Sequence, residues 1–304
     1  MKALLLGGGK GNRLKPVTDF INKHEIQICG KSLAEHALCS IIDAGITDII
    51  ATKNNTYSDS TLLQKLKDKY HSQANITIVD TITQGVAGEI IQTAKYLVGN
   101  NFVVVFGDTL FENNSQFKNY IASYKLKKYD GMMLLGHATN PARHCTPIFG
   151  GDKVVKVIEK FKEHTHDWVV TTWDIFPSWI LKTLTNMHKS ARGEYEMADL
   201  RNLVIQKGVM GYFKVQGWWV DAGIEKDLFN LNQKILNRDN AGQSYLGAQT
   251  KIINSQLKNC SVDGKYSIVN SQLDNCILMG KGQVQDQNLT EKFIFNGKVI
   301  DFTS

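Results

Sequence analysis

The chain lacks any apolar run of the roughly 18 residues that a membrane-spanning helix needs. It also lacks the charged start, long apolar stretch and small-residue cleavage site of a secretory signal, because Gly7 interrupts the opening apolar run at once. A soluble cytoplasmic protein with no membrane partner is expected. The five cysteines, Cys29, Cys39, Cys145, Cys260 and Cys276, include no C-x-x-C pair and are odd in number. They read as reduced buried thiols, not as zinc ligands or disulfides. The net charge is only +6, and no lysine run is long enough for a nucleic-acid tail. KLKDKYH and YKLKKYD are short mixed runs that fit solvated helix faces. Small anionic substrates account for the mild positive excess as well as a polymer would, so no nucleic-acid partner is expected.

Two familiar phosphate loops are missing as well. The opening stretch LLLGGGKGNRLKPVTDFINK runs from a strand-like apolar segment into glycines, with Lys10, Arg13, Lys15 and Lys23 close behind. Leu14 stands where a dinucleotide fingerprint needs its third glycine, and no G-x-x-x-x-G-K-[ST] follows. What remains is a glycine loop whose backbone N–H groups can approach phosphate. Beyond it, Arg13 can grip phosphate oxygens in a fork and Lys23 can add a point charge. Alone, such a loop fits a tight turn equally well.

What is present is a regular alternation. KALLLGG, TDIIATK, ANITIVD and NFVVVFGD read as strands, separated by helical SLAEHALCSIIDAG, DSTLLQKLKDKYH and GEIIQTAKYLVG. Alternating strands and helices imply βαβ units in a doubly wound, Rossmann-like α/β sheet. Ligands bind beyond the carboxyl ends of such strands, where the opening loop and Gly107-Asp108 both lie. YDGMMLLGHA, GGDKVVKVIEKF and WVVTTWDIFPSWILKTL extend the sheet, the last running into a helix near Pro177. GVMGYFKVQGWWVDAG predicts a hairpin-like strand pair, and EKDLFNLNQKIL a closing helix. With 304 residues, one large domain over 1–240 and a smaller one over 241–304 are expected. In the second, INSQLKNCSV at Ile253 returns as VNSQLDNCIL at Val269, a 16-residue offset. Short strands at this spacing suggest about two coils of a β-helix, a stub whose ends need covering. A homo-oligomer is therefore expected.

The loop also has company. GGGKGNRLKPVT resembles the N-terminal signature of the sugar-1-phosphate nucleotidyltransferases, G-G-x-G-x-R-L-x-P-x-T. QGVAGEI (84–90), VFGD (105–108), VIEKF (157–161), SARGEYEMAD (190–199) and GWWVDAG (217–223) are similar to later motifs of that family, in its order. The match spans nearly all of residues 1–235, and an appended left-handed β-helix is what the long, StrD-like glucose-1-phosphate thymidylyltransferases carry.

The resemblance implies that an NTP and a sugar 1-phosphate give an NDP-sugar and pyrophosphate, with Mg²⁺ as cofactor. It implies Asp108 and Asp221 as metal ligands. Arg13 would stabilise the leaving pyrophosphate, Lys23 would offset charge near the α-phosphate, and Lys160 would hold the incoming phosphate. Leu6, Gly7, Gly8, Gly9, Gly11, Asp80, Gly85 and Gly107 fall on nucleotide-binding positions. Cys145, Glu159, Lys160, Val170, Thr171 and Asp174 fall on the acceptor's. Taken singly, Asp108 also fits a cap, Asp221 a turn before Gly223, and Arg13 and Lys160 plain surface cations.

Several positions depart from the family. NKHEIQIC replaces a proline-flanked lysine segment, and Glu25 is placed to pair with Lys23. Asp80 stands where the family reads uracil or thymine with Gln. An ionised Asp only accepts hydrogen bonds, which suits guanine or cytosine donors better; that Asp80 points elsewhere is an equal reading. RHCT (143–146) puts Cys145 in place of a glycine, and VTTWD (170–174) puts Val170 in place of an Asn. Thr171 and Asp174 would supply substitute polar contacts, while Trp173 fits core packing. An altered acceptor follows: a modified hexose, or a phosphate or phosphonate that is not a common sugar. Two alternatives stand beside the enzyme reading. One is a catalytically silent regulatory subunit; the other is a cytidylyl- or guanylyltransferase acting on a non-sugar phosphate or phosphonate.

Overall fold

A computed structural model describes residues 1–302 except Lys10, 55–59, Thr83, His164 and Arg192, with the side chains of Thr185 and Asn186 also left out. Two compact units divide it. The first comprises Met1–Gly9, Ala37–Gly107 and Asn113–Trp219; the second comprises Lys10–His36, Asp108–Glu112 and Val220–Ser304.

A nine-stranded mixed sheet organises the first unit. Its parallel part runs Asn75–Thr81, Asp48–Asn54, Lys2–Leu6, Phe102–Phe106. These strands are unbroken apolar runs such as ALLL and FVVV, almost fully buried, as expected of strands covered on both faces. The chain winds outward from Lys2–Leu6 in both directions, so the switch point lies between this strand and Phe102–Phe106. Gly107 N donates to Leu6 O at 2.9 Å and zips the two carboxyl ends together.

The rest of the sheet runs Trp168–Phe176, Gly131–His137, Met210–Lys214, Lys153–Glu159, Cys145–Gly150. Trp173 stacks on Phe117 with centroids 3.9 Å apart and is buried, a core residue. The expected hairpin is not formed. Met210–Lys214 pairs in parallel with Gly131–His137, and Trp219–Asp221 pairs with Thr109–Phe111 in a separate two-stranded sheet. Gly217 at φ +80 turns the chain between them. The helix Leu33–Asp43 ends at Gly45, φ +82, whose N–H bonds to Ile42 O, the left-handed closure that glycine favours.

In the second unit, C-terminal strands stack in parallel at a constant 16-residue offset. Tyr245 lies beside Ser261, Ser261 beside Ile277, and Ile277 beside Phe293. The stack is thus longer than the two copies visible as a sequence repeat. Outside the NSQL-x-NC core, Gly264-Lys265 repeats as Gly280-Lys281 and the apolar columns persist: Leu246, Val262, Leu278 and Ile294 in one, Ile252, Ile268 and Val284 in another. Corners are marked by left-handed Asn254, Asn270 and Asp286, and by Asn259, Asn275 and Glu291. Asn254 Nδ2 donates to Asn270 Oδ1 (3.0 Å) and Asn270 Nδ2 to Asp286 Oδ1 (3.1 Å), so the repeated asparagines tie rung to rung. Cys260 and Cys276 are buried free thiols. Among the described residues no helix is long and apolar enough to cross a membrane.

Candidate functional site

In the first unit the glycine loop leaves Leu6 at the switch point. Gly7 N–H donates to Thr52 Oγ1 (3.1 Å), and Asn54 Nδ2 donates to Gly8 O (2.8 Å). Thr52 Oγ1 donates in turn to Glu89 Oε2 (2.5 Å). A Cβ on Gly7 would sit 2.5 Å from Thr52 O, and one on Gly8 would sit 2.6 Å from Glu89 Oε1. These two glycines are therefore required by the neighbouring strand and helix, apart from any ligand. Gly9 is half-buried, and Lys10 lies outside the described residues. Gly85 has φ +83, and a Cβ there would meet Tyr195 O at 2.6 Å. Tyr195 N donates to Gln84 O, so segments 84–90 and 190–199 meet; Arg192 of the latter lies outside the described residues.

Asp80 is exposed, and the strand register puts it beside Lys53, whose Nζ is 3.4 Å from its Oδ1. The ammonium supplies the donor that a carboxylate lacks. The pair therefore offers both a donor and an acceptor, as a Gln amide does. Lys53 was not legible as a partner, because the contact depends on register between distant strands.

Register also assembles the acceptor-type residues. Cys145 pairs with Glu159 on one side and Val170 on the other. Lys160 is exposed with φ +49, and its N–H bonds to His144 O (3.1 Å). The His144 ring lies edge-on to Trp219, centroids 5.2 Å apart, and Trp219 Nε1 donates to His137 O (2.7 Å). Burial pushes the Cys145 thiol up to about 12, so it is a neutral packing group and not a nucleophile.

Two expected contacts are corrected. Thr171 Oγ1 is buried and donates to Leu134 O (2.8 Å). Asp174 is fully buried and holds Arg201 in a fork, with Arg201 Nε donating to Oδ1 at 3.3 Å and Nη2 to Oδ2 at 2.6 Å. Neither is available to an acceptor. Burial lifts the Asp174 carboxyl and Arg201 draws it back; the bidentate geometry favours the ionised pair. Arg201 was missed because nothing local marks it: it is a helix residue between Leu200 and Asn202.

The second unit gathers four charged residues from separate segments. Asp108 precedes the strand Thr109–Phe111, and Asp221 ends the strand that pairs with it. Ala222 N donates to Asp108 O at 2.9 Å and locks the two together. Lys23 lies in the short turn Lys23–Glu25, where Asn22 caps by accepting from His24 N (2.9 Å). Its Nζ donates to Asp108 Oδ2. The main ion pair of Lys23 is thus with Asp108, not with Glu25 as expected. Gly11, φ +65, packs against Thr18 and Lys23, and Gly223 faces the guanidinium: a Cβ there would meet Arg13 Nη2 at 2.8 Å.

The electrostatics of this group are tightly linked. Burial works against the Lys23 charge, but Asp108 and Asp221 outweigh it and hold its pKa above the ordinary lysine value. Burial would likewise raise Asp108, but Lys23 outweighs it and keeps the carboxyl below the usual range. Asp221 is lifted to about 6, first by burial and then by the Asp108 charge, against Lys23 and Arg13. His24, buried beside Lys23, is pushed down to about 3 and is neutral; its Nδ1 bonds to Asn22 Oδ1 (2.9 Å). His24 was missed because the residue after the lysine carries no known role in the motif. Two hard carboxylates, one lifted by burial and by the charge of the other, suit a divalent cation that takes few protein ligands and completes its shell with phosphate and water. No cluster of three or more His, Cys, Asp or Glu occurs among the described residues, so an all-protein cage is not formed there.

Residues 2–238 match the nucleotidyl transferase family. The chain is 24% identical over 241 residues to the UTP--glucose-1-phosphate uridylyltransferase AglF of Haloferax volcanii, covering 77% of this chain and 96% of that protein. It is 26% identical over 243 residues to the bifunctional protein GlmU of Methanococcus maripaludis, covering 78% of this chain but only 55% of that protein, about half its length. A solved Bacillus anthracis structure assigned as a glucose-1-phosphate thymidylyltransferase, in complex with a sucrose, superposes with a TM-score of 0.71 at 26% identity, covering 79% of this chain and 96% of that one.

Proposed function

The chain belongs to the nucleotidyl transferase family, and from that premise we propose that it condenses an NTP with a sugar 1-phosphate or a related phosphate, giving an NDP-sugar or its analogue and pyrophosphate. The observation that carries the reading is the charged group Asp108, Asp221, Lys23 and Arg13, drawn from separate segments into one unit around the buried Asp108.

The chemistry asks little covalent work of the protein. A phosphate oxygen of the acceptor attacks the α-phosphorus of the NTP, the bond to the bridging oxygen breaks, and pyrophosphate leaves with the electron pair. Positioning and charge neutralisation supply the rate. Asp108 and Asp221 would hold Mg²⁺, which neutralises triphosphate charge when bound. Arg13 would grip the departing pyrophosphate, and Lys23 would offset charge near the α-phosphate. Lys160, exposed at a left-handed turn, would hold the acceptor phosphate. Gly7, Gly8, Gly9, Gly11, Gly85 and Gly107 would let backbone approach the nucleotide. The Asp80–Lys53 pair would face the base, and its combined donor and acceptor restore uracil or thymine beside guanine and cytosine as candidates.

The acceptor reading is narrower than the family resemblance implies. With Thr171 and Asp174 turned inward, Glu159, exposed and paired with Cys145, is the polar acceptor-type residue that stays open beside Cys145 and Val170. An acceptor with fewer hydroxyl contacts than glucose fits best. The catalytic domain would span 1–240, with 241–304 as a short left-handed β-helix; the parallel stacking at a 16-residue offset supports a β-helix there. Mg²⁺, homo-oligomeric assembly and a cytoplasmic setting, where NTPs are found, complete the reading. A silent regulatory subunit is disfavoured because a silent copy would tend to lose its metal ligands first, and both carboxylates are retained.

The test is pyrophosphate release across NTPs and sugar phosphates with Mg²⁺. Turnover with at least one pair is expected. Nucleotide binding with no turnover in any combination would favour the regulatory reading instead.

A further inference from the structure

The two ends of the C-terminal stack are finished differently. At the far end the chain reverses at Asn296-Gly297, and Lys298–Ile300 returns antiparallel along Phe293–Phe295. That turn seals the core: Phe293 and Ile294 are completely buried. At the near end no such turn is found among the described residues. Leu246 and Ile252 occupy interior columns, in register with the fully buried Val262 and Ile268. Yet Leu246 is 43% exposed and Ile252 is 40% exposed; among the described residues their strands pair only with the rung that holds Val262 and Ile268. Ile253 beside them is 54% exposed.

The backbone is open as well. Ile253 O accepts from Asn270 N (3.0 Å), so the polar groups of Ile253 face the stack. Successive residues of a strand face opposite ways, which directs the N–H and C=O of Ile252 outward. Open strand edges are templates for another chain.

We propose that this end is the docking surface for a second copy of the chain, the two stacks meeting end to end about a two-fold axis. An isologous contact requires a surface complementary to itself, and this one is. Antiparallel pairing centred on Ile252 sets its outward N–H and C=O against their own copies. It places Lys251 across from Ile253 and never across from another lysine. Lys251 is the sole charged residue from Ser244 to Ile253, so like-charge repulsion is avoided. Leu246 and Ile252 of each copy then cover the open columns of the other, continuing the contact that every rung already makes with its neighbour.

Sedimentation velocity on the full chain, without nucleotide or acceptor, tests this independently of catalysis. A dimer at micromolar concentration that Ile252→Glu converts to a monomer is expected. Hydrogen exchange in the unmodified protein gives a second measurement, should that variant misfold. Exchange at 245–253 should slow on the order of tenfold as concentration carries the protein from monomer to dimer, while exchange at 298–300 stays constant. A monomer at all concentrations, a dimer that survives Ile252→Glu, or concentration-independent exchange at 245–253 overturns the proposal.

Discussion

Two buried carboxylates, each paired with a cation, behave oppositely in this protein. Asp174 meets Arg201 in a closed fork, with no exposed surface left on the carboxylate. Asp108 meets Lys23 in a group that also contains Asp221 and Arg13, and one of its carboxyls is lifted to about 6. The first pair is satisfied within the fold, so its work is positional. The second holds two carboxylates that repel each other, a state that an added cation relieves. A buried ion pair is therefore weak as a sign of function by itself; what distinguishes the second is the further carboxylate beside it, lifted by burial and by the Asp108 charge.

The largest effect that would break this contrast is on turnover. Asp108→Ala and Asp221→Ala should each lower pyrophosphate release by on the order of 10³-fold or more, as loss of charge stabilisation at a reacting phosphate does. Thermal unfolding should show the fold retained, and full activity in either variant would remove the metal assignment.

Stability should respond at the other pair. Asp174→Ala leaves Arg201 buried and unmatched, a loss of about 3–5 kcal/mol, read as a lowered denaturation midpoint. Replacing both partners together, Asp174→Leu with Arg201→Met, should recover most of it. A double variant as unstable as the single one would show that the pair does more than satisfy itself.

A third effect is on pH dependence, at Asp263 in the stack. Its Oδ1 accepts from Gly30 N (2.7 Å) and its Oδ2 from Ser261 Oγ (3.0 Å), yet burial lifts it from 3.8 to about 6. The folded state then binds more protons than the unfolded chain between those values, so this group's contribution is greatest below pH 3.8 and is lost as pH rises through about 6. Asp263→Asn should flatten the fall in stability across that window in urea titrations at several pH values. An unchanged slope would contradict the assignment.

The smallest expected effect is at the base. Asp80→Gln should shift preference towards uridine or thymidine triphosphates several-fold, with little change in total activity, since the Asp80–Lys53 pair is exposed and weakly held. An unchanged preference in a competition assay would show that Asp80 does not read the base.

Legibility in the sequence followed the range of the interactions. The parallel strands were plain because runs such as FVVV carry their burial in their own composition. Asp108 was plain because it ends such a run. Partners set by register were hidden: Lys53 beside Asp80, Cys145 between Glu159 and Val170, Arg201 opposite Asp174. The same is true of Thr52, Asn54 and Glu89, which hold the glycine loop from other segments. The strand pair around Gly217 was misread because local pattern shows two strands and a turn but not which neighbours they choose. Length of the stack was understated for a related reason. Only the NSQL-x-NC stretch repeats clearly as letters, whereas much of the remaining core repeats as a class of apolar side chain.

The measurement that bears most directly on the buried Asp108–Asp221 group is pyrophosphate release by the unmodified protein and by Asp221→Ala, with Mg²⁺, across the NTPs and sugar 1-phosphates. Release with at least one pair of substrates, lost in the variant, is the predicted result. Nucleotide binding without release in any combination, or release undiminished in Asp221→Ala, would contradict it.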